Sequence, residues 1–225
     1  MKGAFPGLRR PALVLVVSPH DVLEPLALKR ALKPPSIDVV QLRNDPSMPV
    51  PSSILYKAAG RLTRMCQRAP HRPRVILNAP YDATLVSPQT SVAYAFHYPE
   101  RTLTDETANE LAHIASAFGV SVHSVPNARR AIELGAFYLQ VGTMFPTASH
   151  PEKKVVEGPS LIREIRQQFP NTPLIGIGGI DETNVAKVLD AGANGVAVIR
   201  AILAAAQPDQ VAQRLRHELD AFPRI

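Results

Sequence analysis

The residues of this chain best suited to acid–base chemistry stand in a short motif of small polar side chains, Ser121-Val122-His123-Ser124. Imidazole is the side chain whose ordinary pKa lies nearest to physiological pH, so His123 suits a proton transfer. The flanking serine hydroxyls are placed to fix the orientation of its ring by hydrogen bonds. The motif therefore predicts a catalytic acid–base role for His123, and the alternative is a histidine that only bonds to its neighbours at a strand end.

A second motif, Ile177-Gly178-Gly179-Ile180, is suited to binding phosphate. Glycines allow a ligand to approach the backbone, and residues 199–201 offer further amides. Arg200 either pairs with the phosphate through two guanidinium nitrogens or points outward and crowds the site. We predict a phosphate site formed by Gly178, Gly179, Ile199 and Arg200, with a plain tight turn at the two glycines as the alternative.

Each of these motifs follows an apolar run and precedes a helical pattern, so strands followed by helices must position them. Eight such runs predict eight strands. Their hydrophobicity is continuous rather than alternating, which is typical of parallel strands buried on both faces. The predicted strands are 12–18, 37–43, 74–78, 92–97, 120–123, 137–142, 173–178 and 195–199.

Apolar residues spaced near four apart predict helices between these strands. The patterns fall in 54–62, 111–118, 161–169, 185–189 and 211–219. Pro126 and Asp181 predict helix starts. The third unit, 81–91, has no apolar face and contains Pro88, which predicts a short or irregular helix.

Eight strand–helix units in a chain of 225 residues predict an α/β fold, the (β/α)8 TIM barrel. A doubly wound sheet is the alternative. We expect a single domain over residues 1–225, with 1–11 as an N-terminal extension, because a chain of this size needs only one hydrophobic core. In either fold the chemistry lies at the carboxyl ends of the strands, where the motifs above are found.

The cysteine content and the length of the apolar runs indicate the cellular compartment of this protein. Cys66 is the only cysteine, which excludes an internal disulfide and favours a reducing cytoplasm. No apolar run approaches the roughly 18 residues that a membrane helix requires, so we expect no membrane partner.

A net charge of +6 admits nucleic acid, acidic membranes or phosphorylated small molecules as partners. The chain has no tryptophan and no nucleic-acid recognition motif, so we expect no nucleic-acid partner. A phosphorylated small molecule is the expected ligand, and assembly into a homo-oligomer is left open.

The motifs taken in order resemble those of the thiamine phosphate synthase and TenI superfamily, a group of small (β/α)8 barrels. The likeness covers most of the chain and rests on the ordered set of segments. The segments are Val40-Gln41-Leu42-Arg43, Ile76-Leu77-Asn78, Phe96-His97-Tyr98-Pro99, Ser121-Val122-His123-Ser124, Phe145-Pro146-Thr147, Ile177-Gly178-Gly179-Ile180 and residues 193–198.

The resemblance implies a phosphorylated thiazole as ligand and assigns substrate binding to side chains at strand ends and in one loop. These side chains are Gln41, Arg43, Asn78, His97, Ser121, Thr147 and Ser149. The family typically has serine where this chain has Arg200.

Two activities are known in this superfamily. Thiamine phosphate synthase joins a pyrimidine diphosphate to a thiazole phosphate, and the departing pyrophosphate needs cations and magnesium held by carboxylates. This chain departs from that pattern at four positions. Asp45 and His150 stand where the family has lysines, Ala79 stands where it has a metal aspartate, and Thr102 lies near the second. We therefore expect no metal and no cofactor.

TenI-type thiazole tautomerases, which this sequence resembles more closely, lack that metal site and move a proton to aromatise a carboxythiazole phosphate. Their reaction needs a phosphate anchor and one acid–base group, and His123 would be that group. Tautomerase activity is our main prediction. The alternatives are a thiamine phosphate synthase and a barrel that binds a phosphorylated ligand without catalysis. The last is suggested by a likeness of residues 146–151 and 198–200 to synthase-like domains fused to Nudix hydrolases.

Overall fold

The computed structural model describes residues 11–44, 48–78, 95–102, 118–147 and 155–222. Eight parallel strands pair in sequence order, and β8 pairs back onto β1 to close a barrel. This confirms the predicted (β/α)8 TIM barrel. The strands are β1 Ala12–Val17, β2 Val39–Leu42, β3 Arg74–Asn78, β4 Ala95–Tyr98, β5 Phe118–Val122, β6 Tyr138–Gly142, β7 Leu174–Ile177 and β8 Gly195–Val198.

In the described connections, helices lie along the outside of the barrel. The described α-helices are α1 Pro19–Leu23, α2 Leu26–Ala31, α3 Ser52–Arg68, α4 Val125–Glu133, α5 Gly158–Gln168, α6 Val185–Asp190, α7 Arg200–Leu203 and α8 Pro208–Ala221. A 3-10 helix, Glu100–Thr102, follows β4. Within the described ranges, no helix has the length and apolarity that crossing a bilayer requires. The predicted extension 1–11, apart from Pro11, and the predicted irregular unit 81–91 lie outside the described residues.

Of the two predicted helix starts, the structure confirms Pro126 for α4 but begins α6 later than Asp181. Pro126 lies in the first turn of α4, whose N-cap Ser124 accepts a hydrogen bond from the Asn127 amide through its Oγ, so this predicted start is confirmed. At Asp181 the chain first makes a turn, and α6 begins only at Val185, whose amide donates to the Asp181 carbonyl.

Phe118 was predicted to end a helical pattern, and this is wrong because it begins β5. Its carbonyl accepts a hydrogen bond from the Phe137 amide at 2.8 Å, and it pairs with Phe96 of β4. A buried apolar residue just before a strand fits the spacing of a helix as well as that of a strand. Spacing alone could therefore not assign Phe118 to either element. The rest of that pattern, 111–117, lies outside the described residues.

Side chains alternate between two buried layers along each strand. In β1 the side chains of Ala12, Val14 and Val16 belong to the barrel interior, whereas Leu13 and Leu15 pack in the layer between strands and helices. The continuous apolar character of the strand follows, because both of its faces are buried.

Among the described residues of the interior, Tyr138 of β6 is a large aromatic side chain that is fully buried. Its ring occupies the space in front of Gly119 in β5. A Cβ placed on Gly119 would lie 2.1 Å from Tyr138 Cζ, which is far inside van der Waals contact. The glycine in β5 and the tyrosine in β6 therefore fit together as one packing unit.

A buried ion pair ties the last helix to the amino-terminal end of the barrel. Arg216 of α8 contacts the Asp38 carboxylate at 2.9 Å, and the two side chains are 7% and 6% exposed. The same Asp38 oxygen accepts from the Leu13 amide, and Arg216 Nη1 also donates to the Pro11 carbonyl. These bonds satisfy charges that would be costly to bury alone.

We predict opposite effects of the same substitution at two glycines. Gly119→Ala should lower the free energy of unfolding by roughly 1–3 kcal/mol, because the added methyl group overlaps the Tyr138 ring. Gly60→Ala in α3 should raise it by roughly 0.5–1 kcal/mol, because alanine favours helix and its Cβ would meet only Arg64 Nη1, at 3.5 Å. Urea unfolding measures both values, and equal effects at the two sites would contradict the packing described for Tyr138.

Candidate active site at the carboxyl ends of the strands

A cavity of about 740 Å³ opens at the carboxyl ends of the strands. Its size suits a small-molecule ligand. Most of the site residues predicted from the sequence line it: Gln41, Arg43, Asn78, Ser121, His123, Thr147, Gly178, Gly179, Ile199 and Arg200. Ser149 lies outside the described residues, so its substrate role stays a prediction.

His97 differs from the expectation, because it lies beneath the cavity instead of lining it. Its imidazole is fully buried. Nδ1 lies 2.9 Å from Tyr138 Oη, and Nε2 lies 2.8 Å from Ser121 Oγ. Protein side chains engage both ring nitrogens, and Ser121 lies between His97 and the cavity, so a substrate-binding role of His97 stays a prediction.

The surroundings of His97 favour its neutral form. Burial, with a smaller contribution from the positive charge of Arg43, lowers the pKa of His97 from 6.5 to about 3. Burial also raises the pKa of the Tyr138 phenol above its ordinary value. The pair is therefore uncharged at physiological pH.

A chain of three amide side chains crosses the floor of the cavity. Gln140 Nε2 donates to Gln41 Oε1 at 2.8 Å, and Gln41 Nε2 donates to Asn78 Oδ1 at 2.6 Å. The Asn78 oxygen accepts within the protein, and its amide nitrogen can donate to a ligand. The sequence analysis missed Gln140, whose signal is a polar residue at an inward position of an apolar strand.

His123 lies just beyond β5 at the rim of the cavity and pairs with Glu100. Its Nδ1 lies 3.1 Å from Glu100 Oε2, and its backbone amide donates to the same oxygen at 2.8 Å. The other carboxylate oxygen accepts from Asn127 Nδ2 of α4. With Nδ1–H donated to the carboxylate, Nε2 is the ring nitrogen available to exchange a proton.

Glu100 was not among the site residues predicted from the sequence. Its role as the partner of His123 depends on how the 3-10 helix after β4 meets the end of β5, which is a tertiary relation. The described lining of the cavity contains Glu100 as its one carboxylate, beside the guanidinium groups of Arg43, Arg101, Arg130 and Arg200. The described lining of the cavity is therefore net cationic and suits anionic ligands.

Gly178 and Gly179 form the rim after β7, with φ angles of +102° and +63°. A Cβ on Gly178 would lie 2.5 Å from Thr143 Cγ2, and one on Gly179 would lie 2.5 Å from the Pro146 carbonyl oxygen. The glycines are thus required by their backbone conformation and by the neighbouring loop, not only by a ligand. A valine at Gly178 would disturb the loop itself, so it is no clean test of ligand binding.

On the next strand, β8 leads into the short helix α7 with Ile199 as its N-cap. No side chain caps this helix start. The amides of Arg200 and Ala201 at the cavity edge are therefore not used by a capping side chain.

In the ranges that the structure covers, no group of three or more His, Cys, Asp or Glu side chains is arranged to hold a metal ion. Asp45, Ala79 and His150, at which the sequence departs from the synthase pattern, lie outside those ranges. The expectation of a site without metal stays a prediction.

We predict that burial of neutral His97 makes stability depend on pH. The pKa of this group is lower in the folded chain than in the unfolded one, so the unfolded chain binds more protons below pH 6.5. The free energy of unfolding should therefore fall as the pH falls from 6.5 towards 3, with His97 contributing up to about 1.4 kcal/mol per pH unit.

Urea unfolding of wild type and His97→Gln at pH 7, 5.5 and 4.5 measures this contribution. The variant should be less stable at pH 7 and should lose stability less steeply on acidification. His217→Gln, on the exposed face of α8, is the matched control and should keep the wild-type slope. Equal slopes for wild type and His97→Gln would contradict the prediction.

Comparison with known proteins places the chain in a family. The sequence profile described as "Thiamine monophosphate synthase" matches residues 13–202. The thiamine-phosphate synthase of Geobacillus thermodenitrificans is 44% identical over 97 residues, which are 43% of this chain and 44% of that protein. The enzyme of the same name from Bacillus licheniformis is 40% identical over 118 residues, which are 52% of this chain and 53% of that protein. The matched part of the chain thus spans about half the length of these relatives.

A solved structure, thiamine phosphate pyrophosphorylase from Pyrococcus furiosus, has the same fold. It superposes with a TM-score of 0.75 at 24% identity and covers 94% of this chain and 96% of that one. Since the family profile matches most of the sequence, the chain belongs to the thiamine phosphate synthase and TenI superfamily.

Proposed function

We propose that this protein is an enzyme of thiamine biosynthesis that binds a thiazole phosphate in the cationic cavity and joins it to a pyrimidine diphosphate. The observation that carries the proposal is the identity of 40–44% to proteins named thiamine-phosphate synthase. These relatives favour the synthase, which the sequence analysis held as an alternative, over the tautomerase that was its main prediction.

The phosphate of the thiazole would bind between the ends of β7 and β8. Gly178 and Gly179 line this part of the cavity, and the uncapped start of α7 adds the amides of residues 200 and 201. Arg200 lines the same part of the cavity and supplies a positive charge. This is the position after strands seven and eight at which (β/α)8 barrels commonly bind phosphate.

In the proposed reaction, the C–O bond to the pyrophosphate of the pyrimidine breaks and a C–N bond to the thiazole nitrogen forms. Negative charge develops on the leaving pyrophosphate. Arg43, Arg101 and Arg130 line the cavity and are the described cations available, beyond Arg200, to stabilise that charge.

The superfamily's synthases use magnesium, but the described lining does not fit a site built from two carboxylates. Glu100 is its one carboxylate, and it already accepts from His123 and Asn127. The guanidinium groups therefore carry the stabilisation in this proposal.

The test is to incubate the purified protein with thiazole phosphate and the pyrimidine diphosphate, with and without magnesium, and to measure thiamine phosphate by chromatography. We expect turnover by the wild type and a loss of roughly 10²-fold in Arg43→Gln, because a charge aimed at the leaving group is removed. Lys57→Gln, an exposed cation of α3, is the matched control and should keep full activity. A wild type that forms no thiamine phosphate under either condition would refute the synthase proposal.

A second candidate function, thiazole tautomerisation, is favoured by one specific observation, the contact of His123 with Glu100. In this reaction His123 Nε2 would take a proton from the carboxythiazole ring and return one to aromatise it. Glu100 would hold the opposite nitrogen protonated, which keeps Nε2 available as the base.

If the protein is a tautomerase, His123→Asn should reduce turnover of a carboxythiazole phosphate by roughly 10²–10⁴-fold while ligand affinity persists. Glu100→Gln should reduce turnover less, by about tenfold, because the base remains but its orientation is lost. Glu133→Gln, exposed on α4, is the matched control. Nuclear magnetic resonance of the substrate measures the rate, and full activity of His123→Asn would remove this candidate.

A further inference from the structure

Three side chains form a continuous line of hydrogen bonds from the barrel interior to the cavity. Tyr138 Oη lies 2.9 Å from His97 Nδ1, and His97 Nε2 lies 2.8 Å from Ser121 Oγ. Tyr138 and His97 are fully buried, whereas Ser121 is half-buried and lines the cavity. Only the last member of the line can touch a ligand.

The packing of the barrel interior accommodates this line of hydrogen bonds. Gly119 leaves the space that the Tyr138 ring fills, and the rings of Tyr138 and His97 have their centroids 5.6 Å apart. The apolar neighbours in the interior are aliphatic side chains such as Val14, Ile76 and Ile175. Burying a phenol and an imidazole among them costs desolvation free energy that an aliphatic pair would not.

The line also restricts the hydrogen-bonding roles that the Ser121 hydroxyl can take. A neutral imidazole has one N–H and one lone pair, and Tyr138 engages one nitrogen while Ser121 engages the other. His97 stays neutral because burial and the charge of Arg43 oppose its protonation. The Ser121 hydroxyl therefore has one of its hydrogen-bonding roles held by His97 and offers the complementary role to the cavity.

We propose that Tyr138 and His97 are positioning residues that fix the direction and the donor or acceptor role of the Ser121 hydroxyl towards the bound ligand. In this arrangement Tyr138 sets the tautomer of His97, and His97 in turn sets the role of Ser121. The inference rests on the proposed function only for the identity of the ligand, a thiazole phosphate.

A double-mutant cycle on ligand affinity separates positioning from a merely structural role. Thiazole phosphate is titrated by calorimetry into wild type, Ser121→Ala, Tyr138→Phe and the double variant. Ser121→Ala should weaken binding about tenfold, the value of one hydrogen bond to the ligand. Tyr138→Phe should weaken binding by about fivefold in the wild-type background and by less than about twofold when Ser121 is already alanine.

Tyr56→Phe on α3 is the matched control and should leave the affinity unchanged. Thermal unfolding is measured in parallel, because loss of the buried hydroxyl lowers stability whether or not Ser121 is present. Equal losses of affinity from Tyr138→Phe in both backgrounds, or no loss in either, would overturn the proposal.

A second measurement does not depend on the ligand. Nitrogen-15 spectra of the imidazole at pH 7 should show His97 neutral with one protonated nitrogen, and both Tyr138→Phe and Ser121→Ala should shift its resonances. A ring that exchanges between tautomers in the wild type would overturn the proposal. A fixed tautomer in a protein that fails to bind thiazole phosphate would instead refute the proposed function and leave the positioning of Ser121 standing.

Discussion

Closure of the strands into a barrel, with side chains alternating inward and outward, is the constraint on which the site depends. Each inward position shares one narrow interior with seven other strands. Towards the amino ends of the strands, the interior side chains are mainly aliphatic, as with Val39 and Ile76. Two residues further along the same strands are Gln41 and Asn78. Their amide side chains form the polar floor of the cavity.

That floor is uncharged, whereas the rim above it is charged. Gln41, Asn78, His97 and Gln140 bond to neighbouring side chains without any formal charge, so the interior avoids the cost of buried ions. The guanidinium groups and Glu100 stand at the ends of strands and in helices, where water reaches them. A ligand with an aromatic ring and a phosphate suits this division, because its ring faces neutral donors and its anion faces the cations.

The sequence predicted the strands well because buried parallel strands are continuous apolar runs, and 74–78 was located to the residue. Arg43, Ser121 and Gly178, which lie at or near the carboxyl ends of predicted strands, do line one cavity. Phe118 was misplaced because its spacing fits a helix as well as a strand. The partners of His97 and His123 could not be predicted, because Tyr138 and Glu100 meet them only through the packing of neighbouring units. The close approach of Thr143 to Gly178 could not be predicted for the same reason, because the two residues are distant in sequence.

The buried ion pair between Arg216 and Asp38 has a consequence for how the chain folds. The two residues are 178 positions apart, and β1 must likewise wait for β8 before its second edge is paired. Contacts between residues this distant in sequence slow folding, because a long loop must close before they form. While the chain emerges from the ribosome, β1 and Asp38 stay without these partners until the segment that carries β8 and Arg216 has been made. Until that segment is available, the edge of β1 that pairs with β8 is open to wrong pairing.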